Sequence, residues 1–129
     1  VPIRNFISPH HSSTKASIIG GTKMGEISYS NNAILFFDEL PHFSKNILES
    51  LREPLEDHTV LVSRVNSKIK YDTKFLFVSA MNPCPCGNLL SKTKECRCSD
   101  LEIQRYKARL SDPFLDRIDL YIVMNEVTK

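Results

Sequence analysis

The chain has 129 residues, 41% of them hydrophobic and 25% charged, with a formal net charge of +2. That is the size of one domain and an ordinary globular composition, which excludes disordered, collagenous and repeat classes. The net charge is too small to indicate a partner, and the longest apolar run, at 33–37, is far too short to span a bilayer. No N-terminal segment combines the basic, apolar and small-residue regions of a signal peptide, so a cytoplasmic, non-membrane protein is expected. The chain opens on Val1 and closes on Lys129 soon after a strand-like run, as an excised piece of a longer protein would.

Residues 1–32 read as irregular, with short helical or strand pieces among Pro2, Pro9, a Ser/Thr cluster, Gly20, Gly21 and Gly25. Residues 33–37 (AILFF) predict a buried strand that ends in Asp38 and Glu39. Ser44 is placed to cap a helix over 44–57, whose Ile47, Leu48, Leu51 and Leu55 share a face. Pro54 should kink it or end it early. Residues 59–65 and 68–75 predict two strands joined by an Asn66–Ser67 turn. Residues 75–80 (FLFVSA) predict a second buried strand, ending at Asn82 and Pro83. Ser99 and Glu102 form a capping-box pattern that opens a helix to about Leu110, with Ile103, Tyr106 and Leu110 inward. Pro113 starts a short turn, and 118–124 (IDLYIVM) predict a third strand. Apolar strands alternating with helices indicate an α/β domain with a parallel sheet.

Charge is uneven. Residues 60–110 hold ten Lys/Arg against four acids, a surplus of six, between acidic flanks. Such a segment suits phosphate backbones or simply forms a solvated surface. The four cysteines, Cys84, Cys86, Cys96 and Cys98, fall within fifteen residues as two C-x-C pairs. Four thiolates around a structural Zn²⁺ explain the clustering best, with no ligand position left open for water. Reduced, unligated thiols and disulfides are the alternatives, the latter needing an oxidising compartment.

The chemistry centres on Asp38 and Glu39. Open α/β sheets bind ligands beyond the carboxyl ends of their strands. The first acid is placed to hold Mg²⁺ through water, and the second to orient and deprotonate an attacking water in phosphoryl transfer. A strand merely entering a solvated turn has the same look. Asn82 also follows a buried strand, where a neutral amide can position a water or a terminal phosphate; otherwise it is a turn residue before Pro83. Arg117 stands between Asp116 and Asp119. It can either face a neighbouring subunit and stabilise phosphate charge, or pair with one of those acids. His10 and His11 read as a loop pair, or as contributors to a nucleotide or interface site, and His42 and His58 as surface residues.

Together these features resemble the nucleotide-hydrolysing core of an AAA+ ATPase. The strings SPHH at 8–11, LFFDELP at 35–41, REPLED at 52–57, AMNPCPCG at 80–87 and LDRID at 115–119 resemble the magnesium-chelatase-like branch, of the ComM/YifB type. The resemblance covers nearly the whole chain. It implies a partial P-loop NTPase core with a parallel sheet, a helix-2 insertion at 8–32, a β-hairpin before sensor 1 at 59–74 and a Cys-rich loop at 84–98. Asp38 and Glu39 would be the Walker B acids, Asn82 the sensor-1 residue, and Arg117 an arginine finger acting in trans. ATP and Mg²⁺ would be the cofactors, with Asp38 on the magnesium and Asp38, Glu39 and Asn82 around the nucleotide. Arg64, Lys68 and Lys70 would face DNA in the pore of a homohexameric ring. Family members of this type act in DNA branch migration during natural transformation.

One departure matters. A P-loop needs G-x-x-x-x-G-K-[ST], and the nearest match, at 20–25, is followed by Glu26 and Ile27. An acid there would repel phosphate. The sensor-2 region is missing as well. The chain by itself is therefore expected to bind ATP poorly and not to turn it over, whereas the parent protein would be an ATPase. Two other functions fit parts of the sequence: the ATPase subunit of a metal chelatase, and a non-enzymatic zinc-stabilised module that binds nucleic acid.

Overall fold

The computed structural model describes residues 5–21 and 23–127. Residues 1–4, Thr22 and 128–129, which the expected 1–129 domain and 8–32 insertion include, lie outside the described residues. The fold is mixed α/β. Three parallel strands form one sheet in the order β1 (Phe6–Ile7), β2 (Ile34–Phe37), β5 (Leu76–Ser79). Phe6 pairs with Ile34, and β2 pairs with β5 from Ile34↔Leu76 to Phe37↔Ser79. β2 is central because it is apolar on both faces: Leu35 and Phe37 are fully buried, while Phe36 stacks on Phe6 at 5.8 Å. Phe37 stacks on Phe43 at 4.3 Å, which ties the strand to the chain just past its own turn.

After β1 come α1 (Lys15–Ile18), capped by the Thr14 hydroxyl, and a 3₁₀ turn at Glu26–Tyr29. Between them Gly20 bridges to Met24. A Cβ on Gly25 would stand 2.3 Å from the Gly20 nitrogen, so only glycine permits this backbone crossing. Gly20, Met24 and Gly25 thus make a close bridge.

Ser44 caps the next helix as expected, its hydroxyl accepting from Ile47 N–H at 3.3 Å. The single helix expected over 44–57 is instead two, α2 (Lys45–Ser50) and α3 (Arg52–Asp57), broken at Leu51. Pro54 has no N–H to give the Ser50 carbonyl, so the ladder stops there and the proline falls in the first turn of α3. His58 ends α3 in the left-handed region, φ 53°. The chain then enters the hairpin of β3 (Thr59–Arg64) and β4 (Ser67–Asp72).

The hairpin turn is Val65–Asn66, one residue earlier than expected. Val62 accordingly faces Ile69, and Val60 faces Tyr71. Thr73 N–H bonds the His58 carbonyl at 2.7 Å and closes the far end in this register. β4 therefore stops at Asp72 rather than Phe75.

α4 (Asp100–Lys107) carries the full capping box, and Tyr106 and Leu110 are buried as its period predicts. α5 (Asp112–Leu115) follows, with Phe114 completely buried and edge-on to Phe77 at 6.1 Å.

The strand expected at 118–124 does not form. Leu120, Tyr121, Ile122, Val123 and Met124 are all exposed. A strand needs a neighbour to complete its ladder, and among the described residues this segment has none. It is held by polar ties instead: Tyr121 donates to the Leu115 carbonyl at 2.7 Å, and Glu126 accepts from Lys92 N–H at 3.4 Å.

Candidate functional site

The register of β2 on β5 puts two loops at one end of the sheet. Phe37 and Ser79 are opposite, so Asp38–Glu39 and Met81–Asn82 leave the same carboxyl edge. Two main-chain bonds lock the exits together: Ala80 N–H donates to the Phe37 carbonyl, and Leu40 N–H to the Ala80 carbonyl, both at 3.1 Å. Asp38 and Glu39 are exposed. Asp38 Oδ1 accepts from Glu39 N–H at 2.9 Å, and the residue is exposed, so its other oxygen remains available for a cation or its waters. Glu39 adopts φ 53°, ψ 50°, an uncommon conformation for a non-glycine residue.

Two neighbours of this turn, His11 and Tyr106, are brought to it by the fold. His11 Nε2 lies 3.5 Å from Glu39 Oε2. His11 also packs against His10 at 4.2 Å and His42 at 5.6 Å between ring centres, so the loop after β1 is stacked on the acid turn. Tyr106 of α4 is nearly buried, and burial pushes its phenol above the usual range, with the Asn82 main chain opposing. Asn82 itself is exposed. Gly87, at φ 79°, folds the next loop back over its amide; a Cβ there would sit 3.7 Å from Asn82 Cγ. The SPHH string was the only hint of the His11 contact, since 28 residues separate it from Glu39.

The cysteines converge as the sequence predicts. Their four sulfurs lie within 4.8 Å of one another. Cys84 Sγ is 3.5 Å from Cys86 and 3.7 Å from Cys96, and Cys86 is 3.6 Å from Cys96. These separations are far beyond a disulfide bond of about 2.05 Å, and all four cysteines are free. They match the edge, about 3.8 Å, of a sulfur tetrahedron with arms of about 2.3 Å around Zn²⁺. Cys86 and Cys98 are pushed in opposite directions. Main-chain donors at Asn88 and Arg97 hold Cys86 down to about 6. For Cys98 the Cys86 main chain acts downward, but burial and the facing sulfurs push it up to about 12. A central cation would stabilise all four thiolates together. The donor set, spacing and closed geometry therefore suit a structural metal.

The remaining candidates are more dispersed. Arg117 pairs with Glu56 of α3, not with Asp116 or Asp119 beside it. Nothing local predicts that partner. On the hairpin, Lys70 faces Leu61 and Lys68 faces Ser63, so both lysines share one exposed face. Arg64 is on the opposite face, with Val60 and Val62, and donates to the Tyr71 hydroxyl at 3.2 Å. The basic candidates are thus an adjacent lysine pair plus one separate arginine. A shallow cavity of about 230 Å³ lies between α4 and the turn at His42, lined by Arg105, Tyr106 and Arg109; it is not at the acids.

The profile of the family described as "Magnesium chelatase, subunit ChlI" matches residues 1–129. The competence protein ComM of Haemophilus influenzae is 46% identical over 122 residues, which is 92% of this chain and 24% of that protein. The YifB protein of Escherichia coli K12 is 45% identical over 120 residues, 91% of this chain and 23% of that protein. The chain thus spans about a quarter of the length of these curated relatives. Among solved structures, NtrX from Brucella abortus in complex with ADP superposes with a TM-score of 0.58 at 13% identity, covering 88% of this chain and 23% of that one. At that identity the likeness is one of fold. Among the described residues, no helix is long and apolar enough to cross a membrane.

Proposed function

We propose, from the premise that the chain belongs to the magnesium-chelatase family of AAA+ ATPases, that it is the hydrolytic middle of a longer, ring-forming ATPase that acts on DNA. The observation that carries this reading is the Phe37↔Ser79 register, which brings Asp38, Glu39 and Asn82 to one sheet edge. Bound Mg²⁺ and ATP would supply the scissile phosphoanhydride and neutralise its charge. Asp38 offers its free oxygen to the cation's waters. Glu39 accepts a proton from the attacking water, and Asn82 orients that water by its amide. Arg117 would supply positive charge to the phosphate held by a neighbouring subunit. The phosphate cradle G-x-x-x-x-G-K-[ST] does not occur in these residues, so turnover needs the rest of the parent protein.

The cysteine cluster supports Zn²⁺ as a structural ion that staples the loop between β5 and α4. The exposed Lys68–Lys70 pair supports the hairpin as the DNA contact. In the full-length protein, Glu39→Gln should lower the steady-state ATPase rate by about 10²–10⁴-fold. Lys68→Ala with Lys70→Ala should weaken DNA binding and reduce the salt slope by about 2. ATPase activity that survives Glu39→Gln would remove the hydrolytic reading. Activity that depends on Glu39 but ignores DNA would favour the metal-chelatase alternative. DNA binding that persists with no hydrolysis at all would favour the zinc-stabilised binding module.

A further inference from the structure

We infer that Glu56 is a positioning residue for Arg117, and that α2 and α3 carry the finger on the same piece of structure as the hairpin. The inference rests on the reading of Arg117 as a finger that acts in trans.

The segment 111–117 is attached to α2 and α3 at both ends. Ser111 donates to Glu49 Oε1 at 2.6 Å, and this bond is the leading reason that the Glu49 carboxyl is held below its ordinary range. Arg117 donates to Glu56 Oε1. Between them Phe114 is fully buried, and Leu115 and Ile118 pack on the same core. Glu49 lies in α2 and Glu56 in α3, on either side of the break at Leu51. The finger segment is therefore fixed at two points, one on each helix, with an apolar anchor in the middle.

The pairing is selective. Arg117 has an acid at 116 and another at 119, yet it reaches across 61 residues to Glu56. Both partners are roughly 40% exposed, with side-chain values of 40% and 37%. An ion pair that open adds little to stability. What it does fix is direction: a carboxylate accepting from one guanidinium nitrogen sets where the planar fork points. Glu56 also stands three residues before Thr59, the first residue of the hairpin, with only the left-handed His58 turn completing the link. The hairpin and the residue that pairs with the finger are therefore joined through one short turn.

The test uses mixed rings of the full-length ATPase. Glu39→Gln subunits keep a finger but no working site, and Arg117→Ala subunits keep a site but no finger. Hydrolysis recovered on mixing comes from fingers supplied in trans. Adding Glu56→Gln to the Glu39→Gln subunit should cut that recovered kcat by about tenfold, leaving KM for ATP within about twofold. Glu56→Asp should restore most of it, and Glu49→Gln in the same place should cost less than about twofold. Native mass spectrometry checks that each variant enters the ring. Recovered activity that is unchanged or raised by Glu56→Gln overturns the proposal. So does equal loss with Glu56→Asp or Glu49→Gln, or exclusion of the Gln variant from the ring, because each would mean a purely structural role. No recovery in the starting mixture overturns the trans-finger reading itself, which keeps the two failures distinct.

Discussion

The acid turn at 38–39 and the cysteine loop at 84–98 leave the same edge of the same sheet, and they are held by opposite means. The acid turn is fastened to the sheet by main chain, Ala80 to Phe37 and Leu40 to Ala80, and the exposed Asp38 carboxylate adds one bond within the turn, from Glu39 N–H. The cysteine loop has no strand or helix from Pro83 to Ser99 and is gathered by its four sulfurs around a buried Cys84. There the candidate side chains themselves gather the loop. The contrast predicts that substitutions at the acids cost the fold less than substitutions at the thiols.

Three outcomes would sharpen or break that contrast. The largest effect should come from the loop. Cys84→Ser, or stripping the metal with a chelator, should abolish metal content by mass spectrometry and lower Tm by roughly 5 °C or more, the cost of several interactions lost together. A full Tm without metal would mean that the sulfurs cluster by packing alone.

A smaller effect belongs to the capping box where the loop enters α4. The Ser99 main-chain N–H, then its hydroxyl, hold the Glu102 carboxyl below its ordinary value. The native state thus binds the proton more weakly than the unfolded chain. The stabilisation is complete above the ordinary carboxylate range and is lost as pH falls through the lowered value. Glu102→Gln should therefore reduce stability at neutral pH, with the gap to the wild type closing in acid, as read by denaturant titrations across pH. A constant gap would show that Glu102 acts through packing.

The smallest effect on stability is expected at Glu39→Gln, within about 0.5 kcal/mol, because an exposed carboxamide replaces an exposed carboxylate on an unchanged backbone. A large loss of stability there would place the acid turn among the side-chain-held regions and erase the contrast.

Much of this was legible in the residues. Local patterns sufficed for the Ser44 and Ser99 caps, the β2 and β5 strands, the hairpin and the convergence of the cysteines, because each is marked by residue type and spacing within one short segment. The motif strings identified the ATPase family, and the comparisons agree. The break ahead of Pro54 was expected on local grounds and is observed. Misreadings occurred where a distant partner decides. The hairpin register is set from its far end by Thr73 and His58. Residues 118–124 have strand composition but no neighbouring strand among the described residues.

By itself, then, the sequence determined which chemistry is present: two acids after a buried strand, an amide after another, an arginine in LDRID and four thiols in one loop. Only the tertiary structure decided who stands beside whom. It set Asn82 at the acids' edge, His11 against Glu39, Lys68 beside Lys70 with Arg64 turned away, and Glu56 on Arg117. The reason is physical. Residue type and spacing specify what a side chain can do and the local bonds of its backbone. The contact that directs it is made across tens of residues, through sheet register and core packing.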